Sequence, residues 1–177
     1  MKKVLKFAGI ISAVLALIGF ILLMATPVAT FTVQVGSSKS VTAWDGMNAI
    51  FGVGSVRAGD NASDFSGNLA WSGLLAWIFA LVALLILIAG VVLPLLKVKA
   101  VERFAGVLNL VAVGLLIVAG IFAFISKATF YAANESALLS SDDLQLGAGW
   151  IIGGILFILA GLVAIAPAAV DFIGKKK

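Results

Sequence analysis

The run FSGNLAWSGLLAWIFALVALLILIAGVVLPLL, from Phe65 to Leu96, carries no charged residue over 32 positions. A helix needs roughly 20 apolar residues to cross the hydrocarbon of a bilayer, so this stretch is long enough to span. Three further charge-free runs lie to either side of it, Phe7 to Ser38, Phe104 to Ser126 and Leu144 to Val170. Their apolar cores predict four membrane-spanning helices at about 5–26, 70–96, 104–125 and 147–170. Outer loops 27–69 and 126–146 and an inner loop 97–103 join them. Too little chain remains for a separate soluble domain, so residues 1–177 read as one integral membrane domain. Composition agrees, with 63% hydrophobic and 11% charged residues where a soluble domain carries about 25% charged. The predicted fold class is all-α transmembrane, an antiparallel four-helix bundle with a small extracytoplasmic β-hairpin in the first outer loop.

Whole classes of chemistry fall with the same composition. The chain has no His and no Cys, which removes imidazole acid–base work, thiolate nucleophiles, disulfides and the usual zinc sites. No charged residue falls inside the four apolar cores, whereas proton-coupled carriers and intramembrane proteases place ionisable groups there. We therefore expect no catalytic site, no cofactor and no metal. The net charge of +4 is distributed over helix ends and short loops, which is a topological pattern and not a nucleic-acid-binding face.

Lys2, Lys3, Lys6, Lys97, Lys99, Arg103, Lys175, Lys176 and Lys177 fall on one side of the predicted spans, and Lys39, Arg57 and Lys127 on the other. The positive-inside rule assigns the nine to the cytoplasm. Both termini are then expected inside, in a multi-pass protein of the cell (plasma) membrane. Residues 1–29 share the basic start and apolar run of a secretory signal peptide. The apolar stretch Phe7 to Met24 is longer than the roughly 7–15 residues of a signal core, and no clean A-x-A site follows it. A retained first helix is the expectation.

In the first outer loop, Thr30-Phe31-Thr32-Val33-Gln34-Val35 alternates polar and apolar with period two, and Ser40-Val41-Thr42-Ala43-Trp44 resumes the alternation after a Gly36-Ser37-Ser38-Lys39 turn cluster. A hairpin follows, with Phe31, Val33 and Val35 on one buried face and Thr32 and Gln34 toward water. Asp45 can cap a short helix over Gly46–Phe51 that places Met47, Ile50 and Phe51 on one face and stops at Gly52. The small, polar run from Val53 to Asn68 reads as a mobile link. In the second outer loop, Asp142 as N-cap with Gln145 three residues on reads as a capping-box variant at the start of the last helix.

Within the spans the polar side chains are few: Ser12, Ser72 and Asn109. A lone amide such as Asn109 fits an interhelical hydrogen bond, worth about 1 kcal/mol or less. Small residues recur at four-residue spacing, most densely in Gly149-Trp150-Ile151-Ile152-Gly153-Gly154, which marks Gly149, Gly153 and Gly154 as helix-packing candidates, whether within the bundle or toward a second subunit. Asp60-Asn61-Ala62-Ser63-Asp64 lacks the downstream Glu of a calcium loop. Asn61-Ala62-Ser63 and Asn134-Glu135-Ser136 match the glycosylation pattern. Trp71, Trp77 and Trp150 suit an interfacial aromatic belt.

The order of short inner terminus, helix, long outer loop with strands, helix, short inner turn, helix, shorter outer loop, helix and inner tail resembles the claudin-like tetraspan layout, in the form of a small bacterial tetraspan protein. The claudin signature of Trp, Gly-Leu-Trp and paired Cys is replaced here by Trp44-Asp45-Gly46-Met47 with no Cys, so the resemblance implies topology alone. The functional expectation is a non-catalytic structural, scaffold or interaction component. Its partners would be the lipid bilayer together with a membrane or envelope protein or a second copy of itself. The candidate interaction loop comprises Phe31, Val33, Val35, Trp44, Met47, Ile50 and Phe51. The alternative is a small carrier or channel for an uncharged or lipid-like solute, which needs polar residues lining the bundle interior.

Overall fold

The computed structural model describes residues 2–35, 37–92, 99–135, 138 and 143–173. Along the chain run α1 (Lys2–Ala25), β1 (Pro27–Val35), β2 (Ser38–Asp45), α2 (Gly46–Phe51), β3 (Val53–Ala58), β4 (Asn61–Ser66), α3 (Trp71–Val92), α4 (Lys99–Asn134), β5 (Leu144–Leu146) and α5 (Ala148–Ile173). Four segments, Phe7–Ala25, Trp71–Val92, Gly106–Asn134 and Ala148–Ala166, are long and apolar enough to cross a membrane.

These four helices close a ring in which α1 and α4 each pack against both α3 and α5. Neighbours run antiparallel. Ser12 in the first half of α1 donates from Oγ to the carbonyl of Ala160 in α5, 2.7 Å away, while Gly19 faces Gly153. Phe20 and Trp77 pair α1 with α3 at 5.7 Å between ring centroids, and Gly9 meets Val91. Between α3 and α4, Trp71 meets Phe122 at 5.7 Å and Gly90 faces Asn109. Between α4 and α5, Gly120 faces Gly154, and Gly161 meets Val113. The interior of the ring is lined by fully buried Ala16, Ala76, Ala80, Ala112, Ala119, Ala123, Ala160 and Ala164, while Ile, Leu and Val side chains such as Ile11, Leu85, Leu110 and Leu162 lie exposed on its outside. Leu23, Leu116 and Phe157 are fully buried as well, and the alanines among them let backbones approach closely, which suits helices in lipid, where association does not rest on a hydrophobic drive.

The helix limits depart from the hydropathy reading. The third span continues past 125 to Asn134, because Lys127 ends the charge-free run without ending the helix; Ala128, Ala132 and Ala133 sustain it and no Gly or Pro intervenes. At 36 residues α4 is about 54 Å long, well over the ~30 Å hydrocarbon core. At its other end, Lys99–Arg103, assigned to the inner loop, belongs to α4; residues 97 and 98 lie outside the described residues. The chain leaves α1 where Thr26 precedes Pro27, a position at which proline disfavours helical backbone, and Thr26 folds its Oγ1 back onto the Leu22 carbonyl at 2.7 Å.

Where a hairpin and a mobile link were expected, the chain builds a five-stranded antiparallel sheet of order β4-β3-β2-β1-β5. The predicted hairpin is its β1–β2 pair, in register from Ala29↔Trp44 to Val35↔Ser38. Residues 53–66, read as a mobile link, form a second hairpin with Val53 opposite Ser66 and Ala58 opposite Asn61. Its two-residue Gly59-Asp60 turn, with Gly59 at φ 59°, is of the kind that matches strand twist. Gln145 is not a capping residue. It lies in β5, which pairs with Ala29–Phe31 of β1, and α5 starts only at Ala148; Asp142 lies outside the described residues. Asp45 does sit at the α2 N-cap, but its side chain makes no capping bond and accepts instead from Ser55 Oγ. Gly52 ends α2 in the left-handed conformation, φ 74°.

Candidate functional site

Alternation along the paired strands puts Ala29, Phe31, Trp44, Val56, Phe65, Leu144 and Leu146 on one face of the sheet. That face meets the part of α4 that the hydropathy reading left out. Phe130 is fully buried, its ring 6.5 Å from Trp44 and 6.4 Å from Phe65. Lys127 donates from Nζ to the Leu144 carbonyl at 2.8 Å, holding β5. The last residue of α4 completes the attachment. The Asn134 side chain copies a backbone pairing, accepting from the Asn68 amide at 2.7 Å and donating to the Asn68 carbonyl at 2.8 Å, while Asn68 Nδ2 donates to the Ala133 carbonyl at 2.8 Å. Asn134 is 4% exposed, so of the two glycosylation patterns only Asn61, exposed beside its turn, is presented at the surface.

The part of the sheet that extends furthest beyond its neighbours is the far half of the first hairpin. Strand β5 covers β1 only over Ala29–Phe31, and β3 covers β2 only over Thr42–Trp44, followed by one bond from the Gly59 amide to the Val41 carbonyl (3.1 Å). Beyond that, Thr32–Val35 and Ser38–Val41 pair with each other and with no third strand among the described residues. Val33 is 40% and Val41 39% exposed. The expected buried stripe Phe31-Val33-Val35 is therefore corrected. Phe31 is half-buried over the helices, Val33 lies past the supporting layer, and the Val35 side chain lies outside the described residues. Thr32 and Gln34 are exposed as well.

The remaining loop candidates separate into anchor and surface. Trp44 is buried under the sheet and Ile50 is fully buried in α2, whereas Met47 is half-buried and Phe51 exposed, its ring edge on Trp77 at 5.3 Å. Asn48, absent from the sequence candidates, is fully buried; its Nδ2 donates to the Ser55 carbonyl at 2.9 Å, and its Oδ1 has no partner among the described residues.

Two glycines of α5 touch two different helices. A Cβ added at Gly153 would lie 2.7 Å from Leu23 Cδ1 and 3.2 Å from the Gly19 carbonyl oxygen of α1, and one at Gly154 would lie 3.2 Å from the Gly120 carbonyl oxygen of α4. Gly149 abuts the Thr26 side chain, and Asn109 packs half-buried against Gly90. All four packing candidates thus face partners within the chain. Replacing Gly153 by Leu should overpack the α1–α5 contact at a cost of about 1–3 kcal/mol, read as a lower Tm in detergent with the oligomeric state unchanged. An unchanged Tm would mean that the two helices part there at no cost.

Hydroxyls inside the ring are engaged with neighbouring helices. Besides Ser12, Ser72 Oγ lies 3.2 Å from Ser126 Oγ and 2.5 Å from Thr129 Oγ1, and Ser126 donates to the Phe122 carbonyl at 2.7 Å. Among the described residues no group of three or more His, Cys, Asp or Glu side chains is placed to hold a metal ion. No family model matches the chain, and no curated protein matches it in sequence.

Proposed function

We propose that this chain is a non-catalytic integral membrane protein that presents its sheet to a protein partner, with the overhanging β1–β2 ribbon as the contact element. The observation that carries the reading is the contrast between a firmly attached base and a projecting tip. Phe130, Lys127 and Asn134 hold the base of the sheet. The ribbon beyond Phe31 and Thr42 offers strand edges and two exposed valines, and an open strand edge is a template for pairing with another chain. In this reading the sheet lies outside the cell and both termini inside, as the nine-to-three division of basic residues implies. The claudin-like layout belongs to the same proposal and rests on topology. A carrier or channel draws no support from the interior, where Ser12, Ser72 and Ser126 bond to neighbouring helices and alanines line the contacts.

A photo-crosslinking residue placed at Val33 or Val41 in native membranes should give one discrete adduct, and the same residue at Ala62 on β4 should give none. Equal adducts at all three positions, or none at Val33 and Val41, would remove the ribbon from the reading.

A further inference from the structure

At the opposite end of the sheet from the ribbon, four exposed apolar side chains border the corner where α2, β3 and the approach to α3 converge: Phe51 (40% exposed), Val53 (54%), Leu69 (41%) and Trp71 (52%). The backbone ties them together. The Gly67 amide donates to the Gly52 carbonyl at 2.9 Å and the Ala70 amide to the Ala49 carbonyl at 2.9 Å, so the end of α2 and the start of β3 are fixed against the approach to α3. Helical spacing places Trp71 on the same face of α3 as Val82 and Leu85, themselves 40% and 58% exposed. The corner therefore continues the outward apolar surface of a membrane-crossing helix.

Polarity is graded along the β3–β4 hairpin. Val53 lies at its base, and Arg57, Asp60, Asn61 and Asp64 lie exposed toward its turn. A surface apolar at one end and charged at the other, with aromatic rings at the boundary, fits the interfacial zone of a bilayer. We propose that the corner formed by Phe51, Val53, Leu69 and Trp71 is immersed in that zone, so that the membrane surface crosses the junction of α2 and β3 and the second hairpin stands on lipid. This goes beyond the partner reading and does not depend on it.

The chain has no Cys, which permits a direct test. Val53→Cys and Leu69→Cys, with Arg57→Cys and Asp60→Cys as references, would each be spin-labelled and reconstituted alone into phosphatidylcholine and phosphatidylglycerol vesicles. Neither Val53 nor Leu69 takes part in the aromatic pairs at this corner, so two independent positions report on the folded chain, with an unchanged Tm as the check. Labels at 53 and 69 should lose collisions with water-soluble nickel chelate and gain collisions with oxygen, and labels at 57 and 60 should do the reverse. Nickel accessibility at 53 and 69 equal to that at 57 would overturn the proposal. Shielding from both reagents would also overturn it, in favour of burial against a second copy of the chain.

Discussion

Gly147→Ala and Gly46→Ala should each abolish the folded protein, seen as loss of the monodisperse species when a fluorescent fusion is run by size exclusion in detergent. A Cβ at Gly147 would collide with the Pro27 carbonyl oxygen, and one at Gly46 with the carbonyl oxygen of Leu23. Neither obstacle is a side chain that can turn aside. Both glycines also donate to this stretch of backbone, Gly46 to the Thr26 carbonyl at 3.0 Å and Gly147 to the Val28 carbonyl at 2.9 Å. Accommodating a methyl group would break those bonds and move the exit of α1 away from both α2 and α5. Gly114→Ala is the control, since nothing among the described residues lies within 4 Å of the added Cβ; it should be neutral or slightly stabilising, as Ala exceeds Gly in helix propensity by about 1 kcal/mol. Recovery of well-folded Gly147→Ala protein would show that the α1–β1 junction yields more readily than its backbone contacts imply.

Phe130→Ala should detach the sheet and leave the helices in place. A fully buried phenylalanine truncated to alanine typically costs about 3–5 kcal/mol, and here the loss is local, because Phe130 is the ring on which Trp44 and Phe65 both rest. The measurement is proteolysis of residues 27–69 in sealed membranes of known orientation, together with helical circular dichroism. Faster cleavage with unchanged helix content is expected. Val33→Asp should by contrast be mild, since Val33 is 40% exposed and a carboxylate there keeps its water. Equal cleavage of Phe130→Ala and the unmodified chain would place the attachment of the sheet elsewhere, on Asn134 and Lys127.

The spans, the first hairpin and α2 were legible in the sequence because each is a local pattern: an apolar run, period-two alternation, and a glycine stop at Gly52. The rest depends on partners distant in the chain. Residues 53–66 are small and polar because β4 is exposed on nearly every position, so no alternation marks them, and the only local sign was the Gly59-Asp60 turn. Three residues, Leu144–Leu146, become a strand because β1 supplies the pairing. The continuation of α4 was hidden by Lys127, whose charge resembles the end of a span and in fact holds a β5 carbonyl. Asn68 and Asn134, which make the reciprocal bonds between the β4–α3 link and α4, offered no signal, since asparagine in a loop and at a helix end is ordinary. The glycine pattern in α5 was visible, but which helix each glycine meets, α1 for Gly153 and α4 for Gly154, is set by the packing of the bundle.

The pairing of β1 with β5 also sets an order of events during synthesis. Ala29 meets Leu146 and Phe31 meets Leu144, so one edge of the sheet waits for a strand made more than a hundred residues later, after α3 and α4. Closing so long a loop is entropically slow. Until then, β1 presents Ala29–Phe31 as a bare strand edge at the mouth of an unfinished helix ring, at a time when unpaired edges invite mispairing. The short β5 acts as a latch on biogenesis: chains released before Leu144 keep that edge open, and their first hairpin is available to whatever strand or quality-control factor reaches it first.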